Sequence, residues 1–166
     1  MTLNNFQFNT TPGLRFGSGE AKNSCKEIFN KLGSRILFIT DKGLMSLGLT
    51  KPTIQELKTM GEVEVFDGVE ADPSKKTLLT AIEIGKKFKA TGVIGFGGGS
   101  SMDVAKLTAL ILGSNEDLEK AWGVANAKGP RLPLVLIPTT AGTGSEVTPV
   151  SIITVGEEEK KGVSST

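Results

Sequence analysis

Short apolar runs alternate with segments of helical spacing along the chain. Continuous apolar runs at residues 35–40, 93–96 and 134–137 are typical of strands that are buried on both faces of a parallel sheet. Residues 62–66 and 150–155 predict two further strands. Apolar residues recur every three or four positions in four other segments, which predicts amphipathic helices at residues 20–32, 50–60, 72–88 and 102–112. This alternation predicts an α/β fold: a doubly wound, mostly parallel sheet with right-handed crossovers and helices on both faces.

Three local features predict where elements begin and turn. Residues 6–8 and 14–16 flank Thr11-Pro12-Gly13 and predict short strand pieces around a turn. Asp72 before Pro73 predicts the start of the third helix, because an acceptor side chain followed by a proline suits a helical first turn. Residues 156–161 follow the last strand and predict a charged turn.

Length, charge balance and the cysteine and histidine content limit which partners and metal sites this chain can have. A chain of 166 residues predicts one domain. Its 19 Lys and Arg against 18 Asp and Glu give no charge asymmetry, which argues against nucleic acid or an anionic membrane as partner. The single cysteine, Cys25, and the absence of histidine exclude an intrachain disulfide and a cysteine-ligated zinc site. We see no signal peptide and no membrane-spanning apolar run, so we expect a cytoplasmic protein.

Glycine is the compositional outlier, with 21 residues, and the glycines cluster in Gly95-Phe96-Gly97-Gly98-Gly99-Ser100-Ser101 before a predicted helix. Glycines let a backbone approach a ligand closely, and the first turn of a helix offers unpaired amides to an anion such as a diphosphate. The alternative is a strand-to-helix turn that uses glycine only for tight packing. The loop matches neither the Gly-x-Gly-x-x-Gly fingerprint nor the ATP-binding P-loop.

Three predicted strands run directly into polar or glycine-rich loops, at residues 41–43, 97–100 and 139–144. In an open parallel sheet these loops share the carboxyl edge, where ligands bind. Asp41 can accept hydrogen bonds from ribose hydroxyls and repel a 2′-phosphate, which favours NAD over NADP, although a turn residue or helix cap remains an equal interpretation. The threonines of residues 139–143 offer hydroxyls at the same edge, or form a plain polar turn.

The segments Phe96–Lys106 (FGGGSSMDVAK) and Ile137–Thr148 (IPTTAGTGSEVT) together resemble the iron-containing, group III metal-dependent alcohol dehydrogenase family. The resemblance covers essentially the whole chain but only the amino-terminal half of such proteins. It implies that residues 1–166 form a Rossmann-like NAD-binding domain acting on a small alcohol or aldehyde, with assembly into a homodimer or higher oligomer left open. It also implies Fe²⁺ or another divalent metal, held by one Asp and three His of a following helical domain.

The resemblance also implies roles for individual residues. Gly97, Gly98, Gly99 and Ser100 would contact the pyrophosphate, with Ser101 beside them at the helix start. Asp41 would select the adenosine ribose, Asp72 would lie near the cofactor, and Asp103 would lie at the mouth of the site. The remaining contacts would come from Thr139, Thr140 and Thr143 on the adenine and nicotinamide side, Thr148 and Ile152 near the nicotinamide, and a lysine, Lys161 or Lys160.

No catalytic or metal-binding residue is expected in this chain, because the family's metal site needs histidine and the sequence has none. Residue 166 falls inside the expected outgoing strand of a hairpin, so we expect a truncated chain that binds NAD with little turnover. Two alternatives remain open. One is the cofactor domain of a related enzyme, such as a glycerol or glycerol-1-phosphate dehydrogenase, a maleylacetate reductase or a dehydroquinate synthase. The other is a non-catalytic nucleotide-binding module.

Overall fold

Seven helices and seven strands alternate in the computed structural model, which describes residues 11–164. The helices are α1 Glu20–Asn23, α2 Cys25–Leu32, α3 Lys42–Ser46, α4 Lys51–Lys58, α5 Lys75–Phe88, α6 Gly99–Ser114 and α7 Leu118–Ala121. The strands are β1 Arg35–Ile39, β2 Glu62–Phe66, β3 Gly92–Gly97, β4 Gly123–Val124, β5 Leu134–Pro138, β6 Val150–Val155 and β7 Glu159–Ser164. The predicted strand and helix segments from residue 20 onward therefore correspond to observed elements, with shifted ends.

The central sheet has the strand order β2-β1-β3-β5, and every neighbouring pair is parallel. Ile36 of β1 lies opposite Val63 of β2 and Gly92 of β3, so β1 is an interior strand. A second sheet has the order β4-β7-β6, in which β6 and β7 pair antiparallel as a hairpin. The predicted doubly wound, mostly parallel α/β sheet is confirmed.

Two hydrophobic cores lie on opposite faces of the central sheet. Along β1, Leu37 and Ile39 pack in one core with residues of α5 and α6, while Ile36 and Phe38 pack in the other with residues of α2 and α4. Successive side chains of a strand point to opposite faces, so one apolar run supplies both cores. Cys25 belongs to the second core, where burial raises the pKa of its thiol. This layering explains why the interior strands β1 and β3 read as continuous apolar runs.

Several boundary predictions were wrong. Leu14–Phe16 forms no strand within residues 11–164, and residues 6–8 lie outside the described part of the chain. The predicted helix at residues 20–32 is interrupted at Ser24, which ends α1 and precedes α2. Helix α5 is capped by Ser74 rather than Asp72: the Ser74 hydroxyl accepts a hydrogen bond from the Thr77 amide, at 3.2 Å. Asp72 has a φ of 52°, which is incompatible with a helical first turn.

The hairpin of β6 and β7 is tied to the rest of the molecule by the segment before α5. The Thr154 amide donates to the Pro73 carbonyl at 2.9 Å, and Ser74 forms a parallel bridge with Thr154. Ile153 and Val163 of the hairpin are buried in the core that contains α5 and α6. Among the described helices, none combines the length and apolar character that a membrane crossing requires.

Candidate functional site

The loops after β1, β2 and β3 enclose a cleft of about 560 Å³ at the carboxyl edge of the central sheet. Its lining consists of residues 41–43, residues 67–71, Gly98, Ser100 and Ser101. Parallel strands bring these loops to one edge, as the sequence predicts for the loops after β1 and β3. The loop after β2, with Asp67 and Glu70, was not among the predicted site segments.

The glycines of the loop before α6 serve two different purposes. A Cβ on Gly95 would lie 2.7 Å from the Ala105 Cβ, so this glycine lets α6 pack against β3. A Cβ on Gly97 would lie 2.6 Å from the Ser101 Oγ, and Gly97 has a φ of 153°. Gly98 differs, because its φ is −76° and a Cβ there would meet Thr140 only at ordinary contact distance, 3.5 Å. The fold itself therefore requires glycine at positions 95 and 97 but not at position 98.

The first turn of α6 leaves backbone donors free for a ligand. Gly98 is the N-cap residue and provides no side-chain cap. The first backbone hydrogen bond of this turn runs from the Met102 amide to the Gly98 carbonyl, at 3.1 Å. The amides of Gly99, Ser100 and Ser101 have no backbone acceptor among the described residues. Free amides at the positive end of a 16-residue helix are suited to an anionic group such as a diphosphate.

Asp41 lies in the cleft and also caps a helix. Its Oδ1 accepts a hydrogen bond from the Leu44 amide at 2.9 Å, at the start of α3. Its backbone forms a bridge with Gly68, which places the loops after β1 and β2 side by side. The helix-cap interpretation of the sequence is therefore observed. The predicted ribose contact stays a prediction, and the position of Asp41 in the cleft is compatible with it.

The threonine-rich segment after β5 lies against the glycine loop. The Thr139 amide donates to the Gly97 carbonyl at 2.9 Å. Thr140 and Thr143 are the nearest side chains to the positions that a Cβ would occupy on Gly98 and Gly99. The structure thus brings together two of the predicted loops, although these threonines do not line the cleft itself.

Asp103, Thr148 and Ile152 meet at a different place, around the Lys106 ammonium group. Lys106 Nζ lies 3.0 Å from Asp103 Oδ1 and 3.4 Å from the Thr148 carbonyl, to which it donates. Asp103 Oδ2 accepts from the Ile152 amide at 3.0 Å. Sequence reasoning did not assign Lys106 a role, because its partners lie about 40 residues away along the chain.

Asp72, in the segment before α5, and the predicted lysines of β7 lie in a third region. Lys160 forms an ion pair with Asp72, while Lys161 Nζ lies 3.9 Å from Glu159 Oε1. All three residues lie outside the lining of the cleft. Asp72 tolerates its positive φ because Asp and Asn adopt left-handed backbone geometry more readily than most residues.

Glu70 is the cleft carboxylate with the most hydrogen bonds. Partial burial acts to raise its pKa, but hydrogen bonds from the Ser74 amide, at 2.9 Å, and the Thr77 hydroxyl, at 2.7 Å, outweigh this and lower the pKa from its ordinary value. Glu70 therefore remains ionised near neutral pH. The signal that could have found Asp67 and Glu70 is their position just after a predicted strand, the same signal that identified Asp41.

No group of three or more His, Cys, Asp or Glu side chains with metal-binding geometry occurs within residues 11–164. The sequence contains no histidine. Residues 11–164 therefore do not fit the metal-ligand set of one Asp and three His that the resemblance implies.

The sequence of this chain matches a family model and several curated proteins. The family model described as iron-containing alcohol dehydrogenase matches residues 12–166. A choline dehydrogenase of Bacillus subtilis is 40% identical over 152 residues, which cover 89% of this chain and 38% of that protein. A sulfoacetaldehyde reductase of Bilophila wadsworthia is 35% identical over 146 residues, which cover 87% of this chain and 38% of that protein.

A solved structure shows the same fold. The NADH-dependent butanol dehydrogenase A of Thermotoga maritima superposes with a TM-score of 0.86 at 30% identity, covering 98% of this chain and 42% of that chain. This chain thus spans less than half the length of the relatives it matches. With the family model matching nearly every residue, the chain belongs to the iron-containing alcohol dehydrogenase family.

Proposed function

We propose that this chain binds NAD in the cleft at the carboxyl edge of its central sheet. The free amides at the start of α6 carry this proposal, because they offer a cofactor diphosphate several donors at the positive end of a long helix. The open space at Gly98 supports it further, since the fold alone does not need glycine there. A bound nicotinamide would supply the hydride chemistry of the family, and the residues of this chain would bind and orient it.

The charges of the cleft favour NAD over NADP. Asp41, Asp67 and Glu70 line the cleft together with a single basic residue, Lys42. The 2′-phosphate of NADP would place roughly two negative charges close to these carboxylates, which would repel them. The ribose hydroxyls of NAD can instead donate hydrogen bonds to the carboxylates. The butanol dehydrogenase with the same fold is described as NADH-dependent, which agrees with this preference.

In a whole protein of family length, we propose that the bound NAD exchanges a hydride with a small alcohol or its carbonyl. The relatives differ in the compound they are named for, choline in one and sulfoacetaldehyde in the other. The metal donors implied by the family are missing from residues 11–164, so this part of the protein contributes cofactor binding rather than a metal centre. We accordingly propose that the isolated 166-residue chain binds the cofactor with little or no alcohol oxidation.

Calorimetric titration of the chain with NAD, NADP and ADP-ribose tests the proposal. We expect binding of NAD and ADP-ribose, and weaker binding of NADP. The absence of binding by all three ligands would contradict the proposed cofactor role. Tighter binding of NADP than of NAD would contradict the argument from the carboxylates alone. Appreciable alcohol oxidation by the isolated chain would contradict the proposal that this part of the protein binds the cofactor without supplying a metal centre.

A further inference from the structure

Lys106 of α6 holds four oxygen atoms around its ammonium group. Its Nζ donates to the carbonyls of Ser145, at 2.9 Å, Thr148, at 3.4 Å, and Val150, and lies 3.0 Å from Asp103 Oδ1. Only 11% of the Lys106 side chain and 15% of the Asp103 side chain are exposed. A buried ammonium is costly unless it is paired and hydrogen-bonded, and these contacts satisfy both conditions.

Asp103 makes the complementary set of contacts from the same face of the helix. Its Oδ1 accepts from the Ser145 hydroxyl at 2.6 Å, and its Oδ2 accepts from the Ile152 amide at 3.0 Å. The spacing of three residues places Asp103 and Lys106 next to each other on α6. Together the two side chains connect α6 to the start of β6 and to the irregular segment before it.

This network matters because residues 139–149 form no helix or strand. Carbonyl groups in such a segment lack the partners that a sheet or helix provides, and Lys106 supplies donors to two of them. Ser145 also links the network to the glycine loop, because its amide donates to the Thr143 Oγ1 at 3.3 Å and Thr143 lies over Gly99. Burial lowers the pKa of Lys106 from its ordinary value, and the Asp103 carboxylate opposes this effect.

We propose that Asp103 and Lys106 are positioning residues that hold residues 139–149 over the amino end of α6, ready for the nicotinamide half of a bound dinucleotide. The inference rests on the proposed function. It gives Asp103, which the family resemblance places at the mouth of the site, a role through the loop, since both carboxylate oxygens accept hydrogen bonds within the protein.

Paired titrations with ADP and NAD test this role. ADP carries the adenosine and diphosphate only, and the cleft that would receive it is lined by no residue of the 139–149 segment. The variant Lys106→Met keeps the aliphatic stem and removes the donors. We expect it to weaken NAD binding roughly tenfold and ADP binding by a clearly smaller factor, because ADP meets the loop only where Thr140 and Thr143 lie beside Gly98 and Gly99, whereas NAD would also extend its nicotinamide half toward the loop. The control is Lys86→Met, which removes an exposed lysine of α5 and should change neither affinity.

A second variant keeps the test decisive if Lys106→Met fails to fold. Asp103→Asn preserves the side-chain size but weakens the bond from the Ile152 amide, whose proton resonance should lie downfield in the wild-type chain and move upfield in the variant. NAD affinity should fall with that shift, and by a larger factor than ADP affinity. Equal losses of both affinities, or no loss of either, would overturn the positioning role. A wild-type chain that binds neither NAD nor ADP would instead overturn the proposed function.

Discussion

The cleanest test of the cofactor site is a comparison of two glycines that lie three residues apart. In Gly98→Ala the new Cβ lies 3.5 Å from Thr140 Oγ1, and the backbone, with φ −76° and ψ −174°, suits any residue. Replacing glycine where the backbone permits it stabilises a protein by about 0.4–1 kcal/mol through the unfolded state. Alanine is a poorer N-cap residue than glycine, which opposes this gain, so we expect the free energy of unfolding to change by less than about 1 kcal/mol.

The same substitution should weaken dinucleotide binding. A methyl group at position 98 lies where a diphosphate would approach the amides of the first turn of α6, and a hydrogen bond to a charged group contributes about 1.5–3 kcal/mol. Losing one such bond predicts an NAD affinity lower by roughly 10- to 100-fold, measured by calorimetry. Gly98→Val should weaken NAD binding further, because its side chain is larger.

Gly95→Ala is the matched control, because it adds the same methyl group where the fold has no room. The new Cβ would lie 2.7 Å from the Ala105 Cβ and 2.9 Å from Leu136 Cδ2, between β3 and α6. Overpacking of this kind costs about 1–3 kcal/mol, which urea denaturation would measure. Unchanged NAD affinity in Gly98→Val, with the protein folded, would refute the assignment of the glycine loop to the diphosphate.

Three further predictions concern the cleft carboxylates and the core. Asp41→Ser retains a capping oxygen, so it should leave the free energy of unfolding unchanged and raise the affinity for NADP relative to NAD. Asp41→Ala should change the affinities in the same way and also lose about 0.5–1 kcal/mol of cap stabilisation. An unchanged ratio of the two affinities in titrations would contradict the ribose role. Because the pKa of Glu70 is lowered on folding, its hydrogen bonds stabilise the protein above the ordinary glutamate pKa and are lost as pH falls through the folded value. Urea denaturation of Glu70→Gln should therefore show a deficit of about 0.5–1 kcal/mol near pH 7 that shrinks as the pH falls below the ordinary pKa of glutamate, and a deficit independent of pH would contradict this. Phe38→Ala removes a fully buried ring stacked on Phe96 and should cost about 3–5 kcal/mol in thermal denaturation, while Leu79→Ala, at a 46% exposed position, should cost less than about 1 kcal/mol.

The sequence was most informative where burial is uniform. A parallel strand covered on both faces must be apolar throughout, so the runs that became β1 and β3 could be located to within one or two residues. The run that became β5 was located as closely, but its predicted burial on both faces was wrong, because β5 is an edge strand and is only half-buried. The buried face of α5 was harder to locate: apolar spacing alone assigns Leu78, Leu79 and Ile82 to it, and Leu78 and Ile82 are buried, but Leu79 is 46% exposed. Spacing identifies a helix, whereas its orientation is decided by the neighbours it packs against.

The site was predictable where it depends on chain order alone. The glycine loop and Asp41 follow strands directly, so parallel topology was enough to place them at one edge. The network of Asp103 and Lys106 was not predictable, because its partners Ser145 and Ile152 join it only through tertiary packing. The interruption at Ser24 was not predictable from the sequence either, because the apolar spacing continues across Ser24 while the helical backbone geometry is interrupted there.

The alternation of side chains along β1 determines how substitutions in the two hydrophobic cores combine in their effect on stability. Leu37 and Phe38 are adjacent in the chain, yet they belong to separate cores. Replacing both residues with alanine should lower the free energy of unfolding by nearly the sum of the two single losses, because each substitution leaves a cavity lined by the side chains of a different core. A defect in α2 or α5 is confined to one layer, but a distortion of an interior strand, β1 or β3, loosens both layers at once, because each of these strands contributes side chains to both cores.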